Sequence, residues 1–242
     1  MAIEVFNRVE NKFLLTKQDF DALLPVLHEK MNNDIFNADG KTYPISNLYF
    51  DTDADELIIK SLEKPVYKEK LRLRSYGQAK LEDTVYLEIK KKYDGIVYKR
   101  RTPFTLQEAY SFINDNIIPE NPKMNLQVFH EIQNLLFRYN LKPKVYISYD
   151  RLAFFAKEDS DFRLTLDSNI QTRRTDLRLD SPVYGEQLLE KDTWLMEAKA
   201  FKSFPLWFVQ FLSKRKIFQN SFSKYGNEFK KYKSMENKLC IF

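Results

Sequence analysis

Glycine is scarce in this chain. Only five of the 242 residues are glycine, and no G-x-x-x-x-G-K-[ST] or G-x-G-x-x-G run occurs. A phosphate cradle made of glycine-rich backbone is therefore excluded, and any phosphate must be held by side chains. The single cysteine, Cys240, excludes an intrachain disulfide framework and a Cys-based zinc site. A reducing, cytoplasmic setting is the simplest expectation. The two histidines, His28 and His130, are far apart and fall in helical patterns, so both read as packing or surface residues. A Ser-His-Asp or Cys-His relay has no support. No stretch approaches about eighteen uninterrupted apolar residues, and no membrane segment is expected. The most apolar window, 204–212, reads as a buried helix. The first ten residues carry Glu4, Arg8 and Glu10 and lack the apolar region of a signal peptide.

A core is present, because 43% of the residues are hydrophobic. Lys plus Arg number 39 and Asp plus Glu 34, a net charge of +5. That is a mild bias toward anionic partners, so the placement of charge matters more than its total. The pattern predicts strands at 8–15, 45–51, 66–75, 84–91, 96–102, 143–156, 162–172 and 194–200. Helices are predicted after Thr16 and Thr105, each followed three positions on by an acidic residue that completes a capping box. Phe20, Leu23, Leu24 and Leu27 have the spacing of one apolar helix face. Further helices are expected at 126–139, 204–215 and 222–235. Asp94-Gly95 signals a tight hairpin, and Pro119 and Pro122 bracket a loop. No repeat or linker interrupts 1–242, so one domain is expected.

The chemistry lies in the strand faces. Residues i, i+2 and i+4 of a strand share a face. Arg8, Glu10 and Lys12 share one, as do Arg72 and Arg74, Glu88 and Lys90, Lys99 and Arg101, and Glu197 and Lys199. Arg163 lies between Phe162 and Leu164. These faces are either solvated exteriors or the lining of a barrel whose apolar faces are covered by helices. Buried cations need compensation, by carboxylates, water or an anionic ligand. Arg suits phosphate through its planar fork of donors, Lys through its compact charge.

Eight segments in order carry a resemblance: Arg8-Val9-Glu10-Asn11-Lys12-Phe13, Asn47-Leu48-Tyr49-Phe50-Asp51-Thr52, Leu71-Arg72-Leu73-Arg74-Ser75-Tyr76-Gly77, Tyr86-Leu87-Glu88-Ile89-Lys90, Tyr149-Asp150-Arg151-Leu152-Ala153-Phe154, Arg163-Leu164-Thr165-Leu166-Asp167, Leu195-Met196-Glu197-Ala198-Lys199 and Phe222-Ser223-Lys224-Tyr225-Gly226. In these the sequence resembles the VTC-type polyphosphate polymerase domain of the triphosphate tunnel metalloenzymes, the CYTH-like superfamily, over nearly its whole length. The resemblance implies an α+β fold, an antiparallel β-barrel tunnel with flanking helices. It implies transfer of the γ-phosphate of ATP onto inorganic polyphosphate, with Mn²⁺ or Mg²⁺.

Carried over by motif, Lys12, Arg72, Arg74 and Lys90 form the candidate catalytic group. Lys99, Arg101, Arg151, Arg163 and Lys199 are expected at the substrate. Ser223 and Lys224, opening the last helix, are expected to hold the chain or product at one mouth. Glu197 is the principal expected metal ligand. Glu10 and Glu88 either touch the metal or balance neighbouring cations, and Asp167 is read as structural. Tyr76, Tyr86, Tyr149 and Phe154 either stack on an adenine or belong to the core. The superfamily's hydrolases usually open with E-x-E-x-K, where Arg8 replaces the first carboxylate, which fits a polymerase better than a two-metal hydrolase. Ser221 stands where a basic residue is often found, so grip on the polymer is expected to be looser. Counterparts of the eukaryotic proteins' membrane segment and inositol-phosphate-sensing domain are absent from the sequence, so neither vacuolar anchoring nor that regulation is expected. The alternatives are a triphosphatase acting on tripolyphosphate or a nucleoside triphosphate, a nucleic-acid-binding barrel, and a polyphosphate binder without turnover. Acidic residues interleaved on the charged faces argue against nucleic acid.

Overall fold

The computed structural model describes residues 9–120, 123–158 and 161–239. Arg8, Pro122 and Cys240 lie outside them. Each element follows from a local signal or from packing. Strand β1 (Val9–Thr16) ends at Thr16, which caps α1 (Lys17–Lys30). The Asp19 amide donates to Thr16 Oγ1 at 3.2 Å and the Thr16 amide to Asp19 Oδ2 at 3.3 Å, the expected reciprocal box. Short β2 (Met31–Asn33) and a 3-10 turn (Ile35–Asn37) lead to β3 (Tyr43–Asp51). Helix α2 (Glu56–Leu62) was not legible in the sequence. Its first amides are held from the end of β3 and the residue after it: Glu56 N–H donates to Thr52 Oγ1 at 3.0 Å, and the amides of Leu57 and Ile58 donate to the Asp51 carboxylate at 2.8 and 2.9 Å.

Next come β4 (Tyr67–Tyr76), β5 (Thr84–Tyr93) and β6 (Ile96–Thr105). Asp94 and Gly95 both take positive φ, 44° and 80°. That is the paired left-handed geometry a two-residue hairpin needs, and Tyr93 stands opposite Ile96. Thr105 caps α3 (Leu106–Asp115) with Glu108, again as a capping box. Then follow α4 (Leu126–Tyr139), β7 (Lys142–Ala156), β8 (Arg163–Arg173), β9 (Glu186–Gln187), β10 (Thr193–Ala200), α5 (Leu206–Arg215) and α6 (Lys224–Leu239).

All strands join one sheet in the order β1-β10-β8-β7-β3-β4-β5-β6, every neighbour antiparallel, with β2 on β7 and β9 on β8. Among the described residues β1 and β6 are edges that do not pair, so the barrel-like sheet is not closed by a ladder. It curls far enough for side chains of both edges to line one cavity.

Two apolar clusters lie on the outer face. Leu48, Leu71, Leu73, Leu87 and Ile89 pack under α3 and α4, with Phe112, Phe129 and Ile132. Phe13, Leu15, Leu164 and Met196 pack under α1 and α5, with Leu23, Leu27 and Phe208. Each fully buried Leu contributes about 2 kcal/mol, so these faces fix which side of each strand is left for charge. A third cluster departs from the purely charged interior expected of a tunnel. Ile45, Val145, Ile147 and Leu195 share the inward face and are covered by Phe222, Tyr225 and Phe229 of and beside α6. The last helix thus plugs part of the inner face, and Tyr225 Oη donates to Asp51 Oδ2 at 2.8 Å.

Candidate active site

Strands β4, β5 and β6 set out charge in tiers. Arg74 stands opposite Tyr86, which faces Pro103; Arg72 opposite Glu88, which faces Arg101; Lys70 opposite Lys90, which faces Lys99. The alternation that sends Leu71, Leu73, Leu87 and Ile89 outward sends these tiers inward. A cavity of about 230 Å³ lies against them. Across it stand Glu10 and Lys12 from β1, Glu197 and Lys199 from β10, Tyr49 and Tyr149, Arg151 from β7, and Ser223, Lys224 and Tyr225 where α6 begins. Nine cations and three carboxylates line this space. So many like charges stay together only with water or a polyanion between them.

The charge is organised around three carboxylate centres. Glu88 is 2% exposed. Arg72 Nε and Nη2 lie 2.8 and 2.6 Å from its Oε2, and Lys99 Nζ lies 3.1 Å from Oε1. Burial alone pushes Glu88 up, but Arg72, Arg74 and Lys99 overcome it and hold the carboxyl well below its usual range. Arg72 also donates to Tyr49 Oη, and Arg74 to Asn47 Oδ1 and Tyr149 Oη, so both guanidiniums are fixed in place.

Glu197 is the second centre. Lys12, Lys199 and Lys224 lie 3.4, 3.3 and 3.4 Å from its carboxylate. Lys12 and Lys199 also approach Glu10, at 3.8 and 3.7 Å, so two ammonium groups bridge two carboxylates. Burial works against ionisation of both, and the surrounding lysines reverse it: Glu197 is held well below the usual range and Glu10 is lowered.

The third centre is Asp167, fully buried behind the cavity wall. It accepts from Arg151 Nε and Nη2 at 2.6 and 2.8 Å and from Lys224 Nζ at 2.6 Å. Burial lowers the Lys224 pKa, but Asp167 and Glu197 raise it above the ordinary lysine value. Asp167 therefore positions two of the expected phosphate ligands, and α6 is tied to the strands through Lys224.

Of the residues expected at the site, Lys12, Arg72, Arg74, Lys90, Lys99, Arg151, Lys199, Ser223, Lys224, Glu10, Glu88 and Glu197 converge on the cavity. Two do not line it. Arg101 is exposed, its guanidinium 4.5 Å from the Tyr86 ring and 3.9 Å from Glu88. Arg163 is exposed at the far end of β8, opposite Lys199. Sequence reasoning passed over Lys70, although it shares the Arg72–Arg74 face; burial lowers its pKa to about 8. It also passed over Tyr49 and Tyr225, which hold Arg72 and Asp51. Phe154 is core, and Tyr149 faces the cavity with Arg74, Arg151 and Lys224 around it. His28 and His130 lie edge-on to Phe154 and Phe129, away from the cavity.

The VTC domain model matches residues 7–233. The chain belongs to the VTC domain family. Among its relatives, subunit 2 of the vacuolar transporter chaperone complex of Saccharomyces cerevisiae is 32% identical over 148 residues, 52% of this chain and 18% of that protein. Subunit 4 of the same complex in Schizosaccharomyces pombe is 26% identical over 172 residues, 63% of this chain and 23% of that protein. This VTC chain therefore spans about a fifth of the length of those relatives. Two solved structures share its fold. A protein of Bacillus halodurans named for adenylate cyclase is 17% identical with a TM-score of 0.54, covering 91% of this chain and 96% of that one. An adenylyl cyclase-named protein of Hippeastrum, whose dominant activity is given as triphosphatase, is 18% identical with a TM-score of 0.52, covering 90% and 93%. The VTC sheet described above thus has the triphosphate tunnel fold, α+β with helices on the outside of a curled antiparallel sheet. Among the described residues no helix of this VTC domain is long and apolar enough to cross a membrane.

Proposed function

We propose that this VTC domain is a metal-dependent polyphosphate polymerase that transfers the γ-phosphate of ATP to the end of an inorganic polyphosphate chain. The observation that carries the reading is the convergence of nine lysine and arginine side chains on one cavity beside the Glu10–Glu197 pair. Phosphoryl transfer needs positioning and charge neutralisation more than covalent help from the protein, and the Arg72–Arg74 wall supplies both.

The carboxylates also bear on the metal. Among the described residues no group of three or more His, Cys, Asp or Glu could enclose an ion. Mg²⁺ and its analogues are commonly held by one or two carboxylates, with phosphate and water oxygens completing the shell. Glu10 and Glu197 fit that pattern, since the lysines between them are flexible single-point charges. Glu88, clasped by Arg72, is left as a guanidinium anchor. Mn²⁺ or Mg²⁺ bound there would neutralise charge on the transferring phosphate.

The nucleophile is what separates polymer synthesis from hydrolysis. A water nucleophile is helped by a general base whose pKa lies near the working pH. The tunnel carboxylates are held below their usual range by lysine and arginine, and both histidines lie elsewhere; the cavity groups nearest the working pH are Lys99, lowered by burial to about 7, and Lys70, lowered to about 8. A terminal phosphate oxygen is already an anion and needs no base. The test is to incubate the protein with ATP, Mn²⁺ and a short polyphosphate primer and separate the products on a gel. Extended chains are expected; release of inorganic phosphate alone would identify a triphosphatase instead.

A further inference from the structure

The inward tiers of β4, β5 and β6 end differently at their two ends. Past Lys70, Lys90 and Lys99 come Lys68, Lys92 and Val97, and no ring faces inward. Past Arg74 comes Tyr76, on the same strand and the same face, with Tyr86 directly opposite Arg74. Tyr76 stacks on Phe36, ring centroids 4.8 Å apart and planes within 6°. It meets Tyr86 edge-on at 6.1 Å and Tyr43 at 6.4 Å. Tyr43 stands opposite Arg151, and Arg101 lies over Tyr86. These rings are not a closed core, because Phe36 is 51% and Tyr76 37% exposed. The structure therefore keeps a half-exposed aromatic surface joined to the arginine end of a phosphate track.

We propose that this aromatic mouth is a stacking shelf for the nucleobase of the donor nucleotide. The assignment rests on the nucleoside triphosphate reading of the tunnel and adds to it the place of the base. Every base has a π face, and stacking on an aromatic ring is tolerant of base identity. Two residues along a strand span about 6.8 Å, so a base on Tyr76 is separated from Arg74 by little more than a sugar. The α- and β-phosphates then meet Arg74 and Arg72, and the γ-phosphate lies deeper. Because stacking reads the π face and not the base edge, purine nucleotides should be accepted with little discrimination.

The test separates base from phosphate. Binding of non-hydrolysable ATP and GTP analogues and of inorganic tripolyphosphate is measured by calorimetry with Mn²⁺ present throughout. The wild-type protein is compared with Phe36→Ala/Tyr76→Ala. Loss of stacking should weaken both nucleotides about 5- to 100-fold and leave tripolyphosphate within about two-fold. An equal loss for nucleotide and tripolyphosphate, or no loss for either, overturns the shelf while leaving the tunnel's phosphate role intact. Wild-type protein that binds neither overturns the shelf and the proposed function together. Tyr76→Trp guards against a folding defect. Its new fluorescence should be quenched by the ATP analogue and not by tripolyphosphate, and quenching by both or by neither overturns the shelf.

Discussion

Glu88 is the side chain whose loss should be felt most directly. Replacing Glu88 by Gln keeps the volume and removes the charge that Arg72 Nη2 approaches to 2.6 Å. Breaking a buried ion pair by deleting one partner costs about 3–5 kcal/mol, because the other charge is left uncompensated. Only Arg72 and Arg74 are poorly hydrated here, with side chains 21% and 7% exposed. Lys99 and Arg101, at 44% and 48%, are partly screened by water, so leaving them unpaired costs less. The expected loss is therefore near the lower end, about 3 kcal/mol, or roughly 6–12 °C in melting temperature for a chain of this size.

The sign with pH follows from the lowered carboxyl. Glu88 ionises below its ordinary value of 4.5, so its contribution is complete above that value and fades as pH falls toward the folded-state pKa. The gap between wild type and Glu88→Gln in denaturant unfolding should be full at pH 7 and shrink below about 4.5. A polyanion gives a second readout. Tripolyphosphate can take the place of the missing carboxylate, and ligand at a hundred times its Kd returns about 2.7 kcal/mol. Glu88→Gln should thus gain more stability from tripolyphosphate than the wild type does. A variant as stable as wild type at pH 7, or one whose deficit tripolyphosphate leaves unchanged, would refute this account of the cationic wall.

Lys70, with its pKa lowered to about 8 by burial, should take up a proton when tripolyphosphate binds at pH 8.5. Calorimetry in buffers of different ionisation heat reads that uptake, and Lys70→Met should reduce it to the share of Lys99, whose pKa burial lowers to about 7. In the free protein this lysine makes stability rise with pH from about 8 toward 10.5, since the unfolded chain binds more protons there. Glu197→Gln should remove Mn²⁺-induced thermal stabilisation and slow chain extension by roughly a hundred-fold or more, with circular dichroism unchanged; retained Mn²⁺ stabilisation would move the metal elsewhere. Tyr225→Phe deprives the buried Asp51 of one donor, so denaturant unfolding should show a loss of about 1–2 kcal/mol, and an unchanged midpoint would mean that water replaces the hydroxyl.

Much of the architecture was legible because its signals are local. Thr16 with Asp19 and Thr105 with Glu108 cap their helices within four residues, and Asp94-Gly95 turns a hairpin by itself. The charged strand faces followed from a period of two. What escaped depends on residues brought together from afar. Helix α2 is capped from the end of β3, and Asp51 is held in turn from α6. The inward apolar cluster requires α6 to lie against β3 and β7, which no strand pattern reveals. Arg101 and Arg163 carry the right charge on the right strands, but Arg101 is exposed on the edge strand β6 and Arg163 at the first residue of β8.

The three acidic candidates show where sequence reasoning stops. Glu10, Glu88 and Glu197 are equivalent in the chain: each alternates with a lysine two residues on, at Lys12, Lys90 and Lys199. Their surroundings are decided by register between strands. The β4–β5 pairing sets Glu88 opposite Arg72, whose planar fork takes two contacts on one oxygen at 2.8 and 2.6 Å. The β1–β10 pairing sets Glu10 opposite Lys199 and Lys12 opposite Glu197, so among the described residues these carboxylates touch only ammonium groups, at 3.3–3.8 Å. A guanidinium fork is preorganised, whereas an ammonium on a flexible stem can swing aside and rehydrate. The metal proposal therefore follows the partner across the ladder and not the acidic residue itself. Exchanging Arg72 for Lys would remove the fork and leave Glu88 with guanidiniums no nearer than 3.9 Å, at Arg74 and Arg101, a setting closer to that of the other two carboxylates.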